Sequence, residues 1–379
     1  MNLVLNEEER ILRRGAQEYF GERLPVSALR KLRDVDDANG FDTDAWREMA
    51  DMGWAGVLLP EEHGGAGFGY KGLAQVLESS GRTLAASPLV STALVGAPLV
   101  LAAGSAAQQA AVLPAVAAGD CVLALALDEQ PRHAPTTIAT RATPHGQGYR
   151  LAGSKTFVLD GHVADHLIVV ARTAGDVNAV NGLTLFLVTA DAPGLEVARM
   201  RMVDSRNAAR VTLRDVALGA DAVLGPVGGA WPLLERVLDG ARAGLAAEML
   251  GTAQEAFERT VAYLKLREQF GVPIGSFQAL KHRAALMFCE LELTRSAVLA
   301  ALDALDGGHD DVAALASLAK SKACETLELV SSEAVQLHGG IGMTDAEEIG
   351  LFLKRARVAQ QTFGDAAFHR QRYADLLGL

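Results

Sequence analysis

Apolar residues recur at two different spacings along this chain, and the change of spacing divides it into three. Up to about residue 119 they fall every three or four positions, the period of an amphipathic helix. Asn6 stands before Glu7-Glu8-Glu9 and predicts a helix cap, with Ile11, Leu12 and Phe20 on the apolar side. Asp44 predicts the start of another helix, carrying Trp46, Met49 and Met52 to a stop at Gly53. Three more helices fit 71–82, 88–103 and 105–118, with Gly104 and Gly119 as stops.

From 120 to about 224 the pattern shortens. Runs rich in Val, Leu and Ile at 122–127, 150–152, 167–171, 183–188 and 211–213 are broken by Gly, Pro, Asn and Asp, which predicts antiparallel β-structure. No helix-length stretch separates these runs, which argues against a βαβ fold. From 225 to 379 the helical period returns in long pieces. The first, 231–269, carries Leu234, Val237, Leu238, Ala241, Leu245 and Met249 at helical spacing, and would run roughly 55–60 Å at 1.5 Å per residue. Segments 278–305, 310–337 and 345–362 follow after short turns, which predicts a four-helix bundle. The expectation is an α+β, mostly α chain: a helical domain (1–119), a β domain (120–224) and a helical bundle (225–379).

Composition narrows the function classes. The chain has 379 residues, half of them hydrophobic, so a large core is available. A formal net charge of −11 disfavours nucleic acid or an anionic membrane as partner. Cys121, Cys289 and Cys324 show no zinc or CxxC spacing and read as reduced thiols of a cytoplasmic protein. The N-terminal stretch Met1 to Glu9 is acidic and lacks a signal pattern. The apolar run 88–103 is shorter than the roughly 20 residues a membrane helix needs, and reads as a core helix with no membrane insertion.

Several motifs could carry chemistry. Gly67-Phe68-Gly69-Tyr70-Lys71-Gly72 matches GxGxxG, but the helix-to-helix setting argues against a dinucleotide loop. Arg267-Glu268-Gln269-Phe270-Gly271 ends the long helix. A guanidinium there can hold a pyrophosphate with two parallel hydrogen bonds, or simply favour the helix dipole. Gln278 follows, and then Gln336-Leu337-His338-Gly339-Gly340, whose paired glycines let backbone approach a phosphate or ribose. His338 reads as a helix-end cap or ribose contact, and His63 and His369 as surface residues. No metal-ligand spacing is present.

Together these pieces resemble the acyl-CoA dehydrogenase family. The resemblance covers the whole chain and is strongest at 231–365. It also includes Pro60-Glu61-Glu62-His63-Gly64-Gly65, similar to the family's Pro-Glu-x-x-Gly-Gly turn. It implies FAD as cofactor, an acyl-CoA thioester as substrate, α,β-desaturation as reaction and electron-transfer flavoprotein as acceptor. It further implies that Arg267, Phe270, Gln278, Gln336, Leu337, Gly339 and Gly340 reach the FAD of a neighbouring chain. Phe157, in Lys155-Thr156-Phe157-Val158-Leu159, stands for the family's flavin platform, and Arg242 for an arginine beside the acyl-CoA.

The chain departs from the family where chemistry is done. The two places that hold its catalytic glutamate read Phe363 and Ala241. Leu159 replaces a threonine that faces the reactive flavin nitrogen. The Gly-Ser-Asp segment is absent from Leu127-Asp128-Glu129-Gln130-Pro131-Arg132-His133-Ala134-Pro135, and Glu-Gly-Thr has become Phe363-Gly364-Asp365. Glu248 lies about two turns from Ala241, roughly 10 Å, too far for a simple substitute, and Asp239 points elsewhere. The resemblance therefore implies the degenerate member of a pair of unlike chains, completing a partner's FAD site. Such pairs are associated with steroid side chains or diacids in lipid catabolism. Two alternatives stay open: a homotetrameric flavoenzyme (dehydrogenase, oxidase or monooxygenase) with a displaced base, and a non-catalytic scaffold subunit.

Overall fold

A computed structural model describes residues 4–379; the first three residues of the acidic N-terminal stretch lie outside the described residues. The helices and strands follow in chain order. First come α1 (Glu7–Arg23), α2 (Val26–Asp34), α3 (Thr43–Asp51), α4 (Gly69–Thr83), a π-helical segment (Leu89–Gly96), α5 (Ala97–Ala103) and α6 (Ala106–Ala117). Then come β1 (Leu123–Ala126), β2 (Arg141–His145), β3 (Gly148–Leu159), β4 (His166–Arg172), β5 (Leu183–Thr189), β6 (Leu195–Arg201), β7 (Asn207–Leu218) and β8 (Val223–Leu224). Last are α7 (Trp231–Leu266), the hairpin β9 (Glu268–Gln269) and β10 (Val272–Pro273), α8 (Gln278–Gly307), α9 (Val312–His338), α10 (Ile349–Gln361) and α11 (Ala366–Leu377).

The chain divides into two compact units. One holds the described residues up to Val35, then Tyr70–Ala85 and Arg242–Leu379. In it, α1 starts on a reciprocal capping box. Asn6 Oδ1 accepts from Glu9 N–H and Glu9 Oε2 from Asn6 N–H, both at 2.8 Å. Ala16 and Phe20 face the core. Ile11, about 140° around the helix from Ala16, is instead 58% exposed. Two glycines let α4 and α7 touch. A Cβ at Gly81 would sit 2.1 Å from Glu248 O, and one at Gly251 1.9 Å from Glu78 O. α7 is 36 residues long, about 54 Å. α9 packs on α8, α10 and α11. The sequence pattern missed α11, a polar helix whose one buried residue is His369.

The other unit holds Asp36–Gly69 and Ala86–Ala241. Its sheet runs β6-β7-β3-β2-β4-β5-β8, with β1 beside β4. Most neighbours are antiparallel, as the pattern predicts. β1 and β4 are parallel, as is the single Arg141–Arg172 pairing of β2 and β4. The long path between β1 and β4 makes the parallel pairing accessible. Leu151, Leu167, Val169, Phe186, Val188 and Val211 fill one core face. The run read as a single helix at 88–103 splits into the π-helical segment and α5. Gly96 allows this segment onto β1, since a Cβ there would lie 2.3 Å from that of Leu123.

Candidate functional site

The ends of α7 and α9 build a cavity of about 840 Å³. At the end of α7 the chain turns through Phe270 (φ 55°) and Gly271 (φ 77°) to make the β9–β10 hairpin. Two successive left-handed residues are the signature of a tight hairpin turn, where Asn-Gly is the usual pair. A phenylalanine at the first position is strained. It is 92% exposed and lies edge-to-face with Phe277, with ring centroids 6.1 Å apart. At the end of α9, His338 bonds Ala334 O through Nδ1 (2.7 Å) and stacks on Tyr263 of α7. Gly339 follows with φ 64°. Gly340 needs neither a left-handed backbone nor space, because a Cβ there would meet nothing within 4 Å. Its glycine is unexplained by the chain's own packing.

Arg267, Leu337, Gly339 and Gly340 thus come together as walls of one cavity, with His338. Phe270, Gln278 and Gln336 are exposed and stand outside its lining. Glu268 and Gln269 of the motif also line it, and sequence reasoning missed Tyr263 and Ile274, which do so too. Tyr263 lies one helical turn before Arg267, on the same face, so this signal was present. The donors fit an anionic nucleotide: a guanidinium, bare glycine backbone and an aromatic floor. FAD bound there would be held by Arg267 and the Gly339–Gly340 backbone.

The places matched to the family's glutamate offer no base. Ala241 is fully buried. Phe363 is left-handed (φ 57°), and its carbonyl accepts from His369 Nε2 at 3.1 Å and Arg242 Nε at 3.5 Å. Arg242 is 1% exposed and its guanidinium lies 5.5 Å from the Phe368 ring centroid. His369, read as a surface residue, is fully buried. The expectation failed because its partner is a backbone carbonyl, which sequence does not reveal. His63 is likewise largely covered, its side chain 13% exposed. Asp365 caps α11, accepting from Phe368 N–H at 2.8 Å. Glu248 is 2% exposed and paired with Arg355, itself bonded to Leu84 O. The amides of Tyr70 and Lys71, at the GxGxxG, are taken by the Asp306 carboxylate (2.6 and 3.0 Å), where a dinucleotide phosphate would otherwise sit.

In the β-containing unit, Phe157 stands on a bulge of β3 with φ 52° and 39% exposure. Leu159, 9% exposed, has no hydroxyl to offer. The segment that replaces Gly-Ser-Asp is folded onto the protein itself. Glu129 accepts from Lys155 Nζ (2.7 Å), Thr140 N–H (3.0 Å) and Ala139 N–H (2.7 Å). Burial alone would raise the Glu129 pKa, but Lys155 and Thr140 hold it below the ordinary value. Burial pushes the Lys155 ammonium down to about 8, against the pull of Glu129. Asp128 bonds His133 Nδ1 (2.9 Å) and Ala134 N–H (3.2 Å). Arg172, 1% exposed, binds the carbonyls of Ile138, Val177, Ala179 and Asn181 at 2.8–3.0 Å. These side chains are occupied as structural ties.

Among the described residues, no group of His, Cys, Asp and Glu could hold a metal ion, and no helix is long and apolar enough to cross a membrane.

Comparison with known proteins covers the same three segments. Sequence models of the acyl-CoA dehydrogenase N-terminal, middle and C-terminal domains match residues 6–120, 128–216 and 228–377. The chain is 31% identical to acyl-CoA dehydrogenase IpdE2 of Mycobacterium tuberculosis, over 94% of this chain and 92% of that one. Among solved structures it is similar to a variant of the Tcur3481-Tcur3483 steroid ACAD, with 36% identity, TM-score 0.88 and 98% of each chain covered. It is also similar to a chain of the ChsE4-ChsE5 complex of Mycobacterium tuberculosis, with 26% identity, TM-score 0.90, and 100% and 99% covered.

Proposed function

The chain belongs to the acyl-CoA dehydrogenase family, and from that premise we propose that it is the subunit of a mixed assembly that completes the FAD site of a related partner chain. Members of the family are FAD flavoproteins, oxidoreductases that act on the CH–CH group of an acyl-CoA. Desaturation needs a base on the α C–H bond, and a positioned base contributes roughly 10²–10⁴-fold. When bound, FAD supplies the acceptor for the hydride that leaves the β carbon.

The observation that carries the reading is the cavity that Arg267, Gly339 and Gly340 share. Arg267 binds the pyrophosphate there, the two glycines let backbone come close, and Phe270 and Gln278 stand exposed for contact with a neighbour. Phe157 presents an aromatic face. Around it the chain's own donors are missing or committed: Leu159 lacks a hydroxyl, and Asp128 and Glu129 turn inward. Glu248 is held by Arg355 and Asp365 by its helix, so neither is free to serve as base. Arg242 acts on the substrate side through the Phe363 loop. A pure scaffold has no use for an arginine facing bare glycine backbone.

The substrate class in this reading is a bulky or carboxylated acyl-CoA such as a steroid side chain. It is supported by similarity to the steroid ACAD, and the two-chain assembly by similarity to a complex of two named chains. The assembly is a tetramer that works in the cytoplasm and passes electrons to an electron-transfer flavoprotein. The experiment is to purify the chain alone and coexpressed with a second acyl-CoA dehydrogenase chain, and to measure native mass and flavin absorbance. Little flavin alone and flavin in a mixed assembly support the reading. Stoichiometric flavin in a homo-oligomer of this chain overturns it.

A further inference from the structure

A buried lysine under the α10–α11 loop has no role in the site described so far. Lys320, on α9, is fully buried. Its ammonium donates to the carbonyls of Ala359 (3.1 Å), Gln360 (3.3 Å) and Gly364 (2.9 Å), and lies 3.2 Å from Cys324 Sγ. Ala359 and Gln360 belong to the last turn of α10, where helix carbonyls lack helical partners. Gly364 lies in the loop that leads to α11.

The loop is also gripped elsewhere. Phe363 O accepts from His369 of α11 and from Arg242 of α7. Three helices therefore send a side chain each to four carbonyls within 359–364. Gly364 itself has φ 104°, and a Cβ there would lie 2.5 Å from Phe368 Cδ1 and 2.9 Å from His369 Nε2. Between these ties Phe363 is kept left-handed, a conformation an aromatic residue avoids unless its surroundings impose it.

Placing an amine in this interior works against its charge. Burial pushes the Lys320 pKa below the ordinary lysine value; Cys324 and Asp365 pull it back, and Arg242 pushes it further down. Apolar residues of similar volume fill cores without that cost. A lysine here is accounted for by what its three N–H groups hold.

We propose that Lys320 is a positioning residue that fixes the α10–α11 loop so that Phe363 presents a single conformation to the acyl-CoA side. The link to acyl-CoA rests on the function proposed above; the clamp itself is a property of the isolated chain. Lys320→Met keeps the length and removes the donors. Lys320→Arg restores a cation with several donors.

The test is amide hydrogen exchange on the full-length chain, without cofactor or partner. Peptides covering 359–366 are compared with peptides from α8 and β4 as internal references. Lys320→Met is expected to speed exchange in 359–366 at least tenfold and leave the references unchanged, and Lys320→Arg is expected to recover most of the protection. Exchange that stays at the wild-type rate, or that rises equally in the references, overturns the assignment. If Lys320→Met does not fold, Lys320→Gln, which shortens the side chain and has two N–H donors in place of three, is expected to speed exchange in 359–366 to a smaller extent, and an unchanged rate there overturns the assignment. Because no flavin is involved, the clamp and the half-site proposal fail or stand separately.

Discussion

Tyr263 of α7 and His338 of α9 stack with ring centroids 4.4 Å apart and planes 24° from parallel. This pair joins the two helix ends that carry Arg267 and Gly339–Gly340, and both residues line the cavity. Replacing His338 with Ala removes the stack and the Nδ1 bond to Ala334 O. The expected loss is about 1–3 kcal/mol, measured by urea unfolding. His338→Phe, which keeps a stacking ring, recovers part of it.

Phe270 combines a left-handed backbone with near-complete exposure. Phe270→Gly relieves strain without losing buried area. The chain alone is expected to gain up to about 1 kcal/mol. Phe270→Ala keeps the unfavourable backbone and is expected to leave stability nearly unchanged. The same glycine variant is expected to weaken flavin retention in the proposed mixed assembly. That divergence, read by thermal unfolding and flavin absorbance, separates a contact residue from a structural one.

Glu248 and Arg355 form an ion pair with both side chains at most 2% exposed. Glu248→Gln removes the carboxylate charge that pairs with the buried Arg355 guanidinium and is expected to cost about 3–5 kcal/mol. Replacing both with methionine is expected to restore most of that stability. If the double variant folds, turnover of the proposed mixed assembly is expected to stay near wild type, since the proposed function gives Glu248 no role as a base. A large loss of turnover in a well-folded double variant would give Glu248 a chemical role.

The Lys155–Glu129 pair predicts a pH dependence. Folded Lys155 releases its proton near 8, against 10.5 ordinarily. Between those values the unfolded chain binds more protons, so stability rises with pH across that window. The gain is up to roughly 3 kcal/mol. Glu129 acts at the other end: its contribution is present above the ordinary carboxylate pKa of 4.5 and is lost as pH falls through its lowered folded value. Urea unfolding of wild type and Lys155→Met at a series of pH values is the measurement. The wild-type-minus-variant difference should climb above pH 8.

Much of the architecture was readable because it rests on local chemistry. Asn6 and Glu9 cap α1 across three residues, and α7 shows apolar residues at helical spacing from Leu234 to Met249. The glycines near the cavity mark the turn out of α9. What sequence hid depends on distant partners. Lys155, Arg172, Lys320 and His369 are all buried against backbone carbonyls, and carbonyls leave no trace in a residue string. β6 alternates half-buried and exposed positions and carries charged side chains, so it lacks the apolar run that marked its neighbours. α11 is amphipathic only weakly, and the cap that starts it, Asp365, reads in the sequence as damage to a cofactor motif.

In the proposed mixed assembly, Arg267 of this chain reaches a flavin held mainly by another chain. The most direct measurement is the flavin content of the mixed assembly with Arg267→Ala in this chain alone, with assembly checked by native mass. An intact assembly that has lost most of its flavin is the expected result. An intact assembly that keeps its full flavin complement would contradict it.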